Sequence, residues 1–106
     1  MGAVRKGSGN VFQDLGLPKS PELLAKAQLV SRIAKIIERE KMTQIQAAER
    51  LGIDQPKVSL LLRGRFEGYS VERLMRFLNA LDQDVKIIVK PARANHGRQG
   101  SIRVVA

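Results

Sequence analysis

Gln55, Lys57 and Ser59 alternate along the stretch QPKVSLLLRGR, which closes on Arg63 and Arg65. Their chemistry is recognition. A glutamine amide can bond an adenine edge in bidentate fashion, lysine can donate to guanine, and arginine can clamp a phosphate without reading sequence. Each residue taken alone also fits a solvated polar position on an exposed helix, so its meaning depends on the element that carries it. Catalysis finds no comparable set. His96 is the only histidine, it lies in a glycine-containing tail, and no carboxylate pair or phosphate-binding loop accompanies it. Neither an enzymatic activity nor a cofactor or metal site is expected.

The positioning element is Thr43 to Gly64, TQIQAAERLGIDQPKVSLLLRG. Thr43 is a good N-cap and Gln46 can reach back to it, a capping box that opens a helix through Ala47, Ala48 and Leu51. Gly52 follows where a chain leaving a helix needs a left-handed residue, and Ile53 offers an apolar side chain to pin the turn. Asp54 caps a second helix, Gln55 opens it, and Pro56 sits in the first turn, where its missing N–H costs nothing. Two short helices joined by a tight glycine turn predict a helix-turn-helix, with Leu51, Ile53, Val58 and Leu61 beneath it and small Ala48 allowing a close crossing. A helical hairpin packed only for stability is the alternative. In a helix-turn-helix the second helix enters the major groove, which makes Gln55 and Lys57 the base-reading candidates, with Ser59 on the same outer face. Arg63 and Arg65 are then phosphate clamps, with Arg50 a weaker third.

Charge supports a polyanionic partner. Lysine and arginine number 19 against 10 acidic residues, a net charge of +9, the electrostatic footprint of a phosphate-backbone binder, although a basic protein can also be merely soluble. From Met1 to Ser20 three bases face one acid, and from Pro91 to Ala106 three bases face none, so over half of the excess lies on the ends. The chain therefore reads as basic arms on a milder body. Its 106 residues suit one modest core. The absence of cysteine fits a reducing cytoplasm, and no apolar run approaches a membrane span or a signal peptide.

In chain order, residues 1–20 are expected to form a flexible basic arm, with an apolar docking stretch at Val11, Phe12, Leu15 and Leu17. The helical domain spans 21–82. Its first helix starts at Ser20-Pro21-Glu22 and runs to about Glu40, with Leu23, Ala27, Val30, Ala34 and Ile37 as an apolar stripe widened by Leu24, Ile33 and Ile36. After the loop RFEGYS, Ser70 caps a last helix buried through Val71, Leu74, Phe77, Leu78 and Leu81. Asp82 ends it, since aspartate tolerates the left-handed conformation.

Residues 83–91, QDVKIIVKP, predict a strand, with Val85, Ile87 and Val89 on one face and Lys86, Ile88 and Lys90 on the other. A lone strand leaves a row of unpaired donors and acceptors. Pairing with its copy in a second subunit resolves this and predicts a two-fold homodimer joined through Val85, Ile87, Ile88 and Val89. An intramolecular hairpin with Ser101–Val105 is the alternative, made less attractive by the Gly, Asn, His and Gln between them. Residues 92–106 otherwise form a basic tail.

Thr43-Gln44, Ala48, Leu51-Gly52-Ile53, Gln55, Val58-Ser59 and Arg63-Gly64 fall where the Xre/Cro family has its equivalents, and the stretch resembles such a DNA-binding domain. The resemblance implies a mainly α fold, a compact helical bundle of the lambda-repressor-like type, here followed by a C-terminal β-strand. It also implies that Gln44 donates to a phosphate at the start of the first motif helix. Pro56 and Leu60 depart from the polar readers that phage repressors of this type often place there, and either can touch a thymine methyl or simply cover the surface. Ile37 and Leu62 stand where several phage repressors carry an Arg and Glu pair, an apolar substitution that avoids desolvating buried charge.

NVFQDLGL, LLAKAQLVSRIAKII, TQIQAAERLGI and LNALDQDVKIIVKP, in that order from roughly Asn10 to Pro91, are together similar to the HigA-like antitoxins of the Xre family. Such proteins neutralise a RelE-like ribonuclease toxin and repress their own operon. The resemblance thus implies double-stranded operator DNA and a RelE-like toxin as partners, with Val11, Phe12, Leu15 and Leu17 as candidate toxin contacts unless they pack on the first helix. A stand-alone regulator, or a toxin neutraliser with only incidental DNA affinity, fits the same residues.

Overall fold

A computed structural model describes residues 20–92 and 100–105. Four helices follow one another: α1 (Pro21–Arg39), α2 (Gln44–Leu51), α3 (Gln55–Leu62) and α4 (Val71–Ala80). Contacts divide the chain into two compact units, Lys26–Val89 and a second formed by the segments on either side. In the second unit the Leu23 N–H donates to Ser20 Oγ at 2.9 Å, the cap anticipated for α1. The apolar docking stretch at Val11, Phe12, Leu15 and Leu17 lies outside the described residues, as does His96.

Lys26–Val89 holds the helix-turn-helix. Its core draws Leu29, Val30, Ile33, Ile36 and Ile37 from α1, Ala47, Ala48 and Leu51 from α2, Val58 and Leu61 from α3, and Leu74, Phe77, Leu78 and Leu81 from the α4 region. α2 packs on both α3 and α4. Ile33, Val58, Leu61 and Leu74 are the largest fully buried side chains, each stabilising by about 1.5–3 kcal/mol through removal from water. The α1 stripe is rotated from its expected position. Leu29 is buried while Leu24 stays 52% exposed, and Leu23, Ala27 and Ala34 are half-buried. Ile37 is buried and Leu62 half-buried, as suits an apolar pair.

The helix ends share one device. After α1, Lys41 adopts φ 56°, the Met42 N–H donates to the Ile37 carbonyl at 3.0 Å and the Lys41 N–H to that of Glu38 at 3.1 Å. After α4, Asp82 adopts φ 65°, with Gln83 donating to Leu78 at 2.9 Å and Asp82 to Asn79 at 3.0 Å. Both are Schellman motifs, in which one left-handed residue lets the chain turn back and satisfy orphan carbonyls. Gly64, at φ 90°, closes α3 in the same way, with Arg65 donating to Leu60 at 3.0 Å.

The expected C-terminal strand is not found. Among the described residues no segment forms a strand, and Val85–Val89 is irregular, with Ile87 and Ile88 each 71% exposed and Val89 91% exposed. A strand exists by virtue of its ladder partner, and the described residues supply none to this segment. The alternation of Val85, Ile87 and Val89 against Lys86, Ile88 and Lys90 therefore leaves Val85 half-buried and every other member exposed.

Candidate nucleic-acid interface

Local chemistry fixes α3. Asp54 takes an extended conformation, φ −82° and ψ 164°, and its carboxylate accepts the Lys57 N–H at 3.2 Å. Gly52, at φ 75°, makes the preceding turn, and the Ala48 carbonyl accepts both the Gly52 N–H at 2.8 Å and the Ile53 N–H at 3.2 Å. Nothing lies within 4 Å of where a Gly52 Cβ would stand, so the backbone rather than space requires glycine. With Val58 and Leu61 drawn into the core, Gln55, Pro56, Lys57 and Leu60 are left on the outer face, all exposed. They present an amide, a pyrrolidine ring, an ammonium group and an isobutyl group along two turns of helix. That set can address hydrogen-bonding base edges and thymine methyls together.

Ser59 and Arg63 are linked. The Arg63 guanidinium donates to Ser59 Oγ at 3.2 Å, one turn along the helix. Ser59 is half-buried and its hydroxyl oxygen steadies Arg63. Arg65 is exposed just beyond the Gly64 turn. Gln44 is the first residue of α2. The capping box is present in full, the Gln46 N–H donating to Thr43 Oγ1 at 3.0 Å and the Thr43 N–H to Gln46 Oε1 at 2.9 Å. The N–H groups of Gln44 and Ile45 remain outside the helical ladder, at the end where the helix dipole favours an anion.

Arg50 is a correction. Its guanidinium donates to the Ala80 carbonyl from Nε at 3.1 Å and from Nη2 at 2.8 Å, and pairs with Asp82 Oδ2 at 2.9 Å. It thus caps the C-terminal end of α4, where carbonyls lack helical partners and the dipole favours a cation. Its Nε and Nη2 donors are engaged within the domain.

Two open hollows flank α3. The larger, about 640 Å³, includes Gln55 and Lys57 in its lining. The smaller, about 250 Å³, is lined by Lys57, Leu60, Arg65, Gly68, Tyr69 and Arg73. The geometry thus joins Lys57, Leu60 and Arg65 in one concavity, with Gln55 beside it; Gln44, Ser59 and Arg63 line neither. Tyr69 and Arg73 were not legible as neighbours of the motif, because only the path of the 63–70 loop brings them there. Among the described residues no cluster of His, Cys, Asp or Glu is arranged to hold a metal ion, and no helix is long and apolar enough to cross a membrane.

A family described as a helix-turn-helix domain matches residues 11–90. Among solved structures, a protein provisionally described as an XRE family transcriptional regulator superposes with a TM-score of 0.77 at 45% identity, covering 84% of this chain and 99% of its own. No curated protein matches.

Proposed function

The chain belongs to the helix-turn-helix domain family and is a DNA-binding transcriptional regulator of the XRE type, and from that premise we propose that it is a homodimeric repressor that reads a specific operator. The observation that carries this reading is the outer face of α3, where Gln55, Lys57 and Leu60 stand exposed on a helix whose inner face is locked by Val58 and Leu61. Gln55 and Lys57 read base edges, while Pro56 and Leu60 contribute apolar contact. Arg63, Arg65 and Gln44 hold the backbone and set register.

Dimerisation supplies the second half-site. Residues 83–91 present Val85, Ile87, Ile88 and Val89 with no ladder partner of their own, and an isologous pairing of two copies would occupy this edge. Two recognition helices then meet half-sites about 34–36 Å apart. The experiment compares binding to DNA from upstream of the protein's own gene with binding to scrambled DNA at physiological salt, for the wild type and for Gln55→Ala with Lys57→Ala. Selective binding that the double variant loses is the expected result. Equal, salt-sensitive binding to both DNAs would reduce the +9 charge to an electrostatic footprint.

The proposal extends to an autoregulating antitoxin of a type II toxin-antitoxin pair. What supports it is the likeness of NVFQDLGL, LLAKAQLVSRIAKII, TQIQAAERLGI and LNALDQDVKIIVKP, in that order, to such antitoxins. Co-expression should relieve the growth arrest caused by a RelE-like toxin encoded beside this gene. Failure to do so would favour a stand-alone regulator.

A further inference from the structure

The smaller hollow beside α3 gathers three cations, Lys57, Arg65 and Arg73, around Tyr69, Leu60 and Gly68, with no carboxylate in its own lining, while Glu49 and Asp54 line the larger hollow that Lys57 and Arg73 also border. Like charges so placed repel, and an oxyanion among them relieves the repulsion. Arg73 is the member with a built position. Its N–H donates to the α4 cap, Ser70 Oγ, at 3.0 Å, which fixes its backbone in the first turn. Its guanidinium lies 5.2 Å from the Tyr69 ring centroid and 5.5 Å from that of Phe77, and the two rings themselves meet edge-on at 5.6 Å. Among the described residues it has no ion pair, whereas Arg76, one turn along the same helix, is paired with Glu72 at 2.9 Å.

Cation–π contact with two rings restrains a guanidinium, which lowers the entropy lost when its N–H donors engage an anion. From this juxtaposition we propose that Arg73, positioned by Tyr69 and acting with Arg65 while Lys57 beside them reaches the bases, clamps a phosphate of the DNA strand bordering the groove that α3 enters. The inference rests on the DNA-binding reading and adds a contact made by α4. Such a contact carries no base information and acts on all sequences alike.

The test is a salt titration of binding to a labelled mixed-sequence duplex, with the full chain and the variants Arg73→Ala, Arg73→Lys and Arg76→Ala. Arg73 is exposed but lies over Phe77 of the core, so the urea midpoint of each variant is measured alongside its binding. Arg73→Ala should weaken binding roughly threefold at physiological salt and lower the slope of log K against log salt by about 1. Arg73→Lys should keep the slope while losing affinity, since the charge remains and the stacked planar fork does not. Arg76→Ala removes the same charge from the same helix and should leave the slope unchanged. Equal slopes for Arg73→Ala and the wild type overturn the assignment, as does an equal loss of slope in Arg76→Ala, which would mark a general effect of net charge. A wild type that binds no DNA overturns this inference together with the reading beneath it.

Discussion

The α2–turn–α3 motif and the segment 83–91 carry equally clear sequence signals, yet only the first is complete within one chain. Thr43, Gln46, Gly52 and Asp54 each act on groups no more than about one helical turn away, so the motif closes its hydrogen bonds locally and then docks through Val58 and Leu61. The apolar run Val85–Val89 can form a ladder only with a partner at distance, and the described residues give it none. Helical signals state a structure; a strand signal states a requirement.

If this contrast is right, the two regions answer differently to mutation. Leu61→Ala should have the largest effect on the fold, destabilising it by about 2–5 kcal/mol in urea unfolding, because the side chain is fully buried beneath the recognition helix. Ile87→Lys with Val89→Lys should leave the unfolding of the monomer within about 0.5 kcal/mol of wild type, as both side chains are largely exposed. The same double change should abolish the proposed dimer in sedimentation velocity and weaken operator binding at least about tenfold, or 1.4 kcal/mol. A dimer that survives it would locate the two-fold contact elsewhere. Smaller again are the caps. Thr43→Ala removes an acceptor for an orphan N–H, and Gly52→Ala forces a Cβ into φ 75°; each should lose about 1 kcal/mol, measured as a shift of the urea midpoint with an unchanged m-value.

The same division governs what was legible. Capping residues, the glycine turn, Asp82 as a helix terminator and the α4 stripe follow from side-chain types at fixed spacings, and α2, α3 and α4 appear where those signals put them. Gln55, Lys57 and Leu60 were legible as exposed because Val58 and Leu61 fix the inward face. Lys41 at φ 56° carried no glycine or asparagine to announce it. The α1 face is wide and continuously apolar, so periodicity alone left its rotation undetermined, and Leu29 was missed while Leu24 was included. Arg50 looked like its exposed basic neighbours, since its partners Ala80 and Asp82 lie some thirty residues away and only folding brings them within reach. Arg73 was hidden for the same reason, with the loop before α4 placing it beside Lys57 and Arg65.

Asp82 sharpens the comparison most finely, because one side chain serves both local and distant structure. Its left-handed backbone, φ 65°, favours glycine by roughly 1 kcal/mol, while its carboxylate pairs with Arg50 at 2.9 Å. That pair is open to water, with the Asp82 side chain 86% and the Arg50 side chain 40% exposed, so it contributes at most about 1 kcal/mol and is weakened by salt. The Arg50 contact to the Ala80 carbonyl survives without the carboxylate. Asp82→Gly should therefore stabilise slightly, by about 0.5 kcal/mol at low ionic strength, with the gain increasing as salt screens the pair in the wild type. Asp82→Asn keeps a residue that tolerates the left-handed region but loses the charge, so it should be slightly destabilising and converge on the wild type at high salt. A loss of stability in Asp82→Gly at low salt that fades as salt is raised would show that the distant partner, not the backbone, decides how α4 ends.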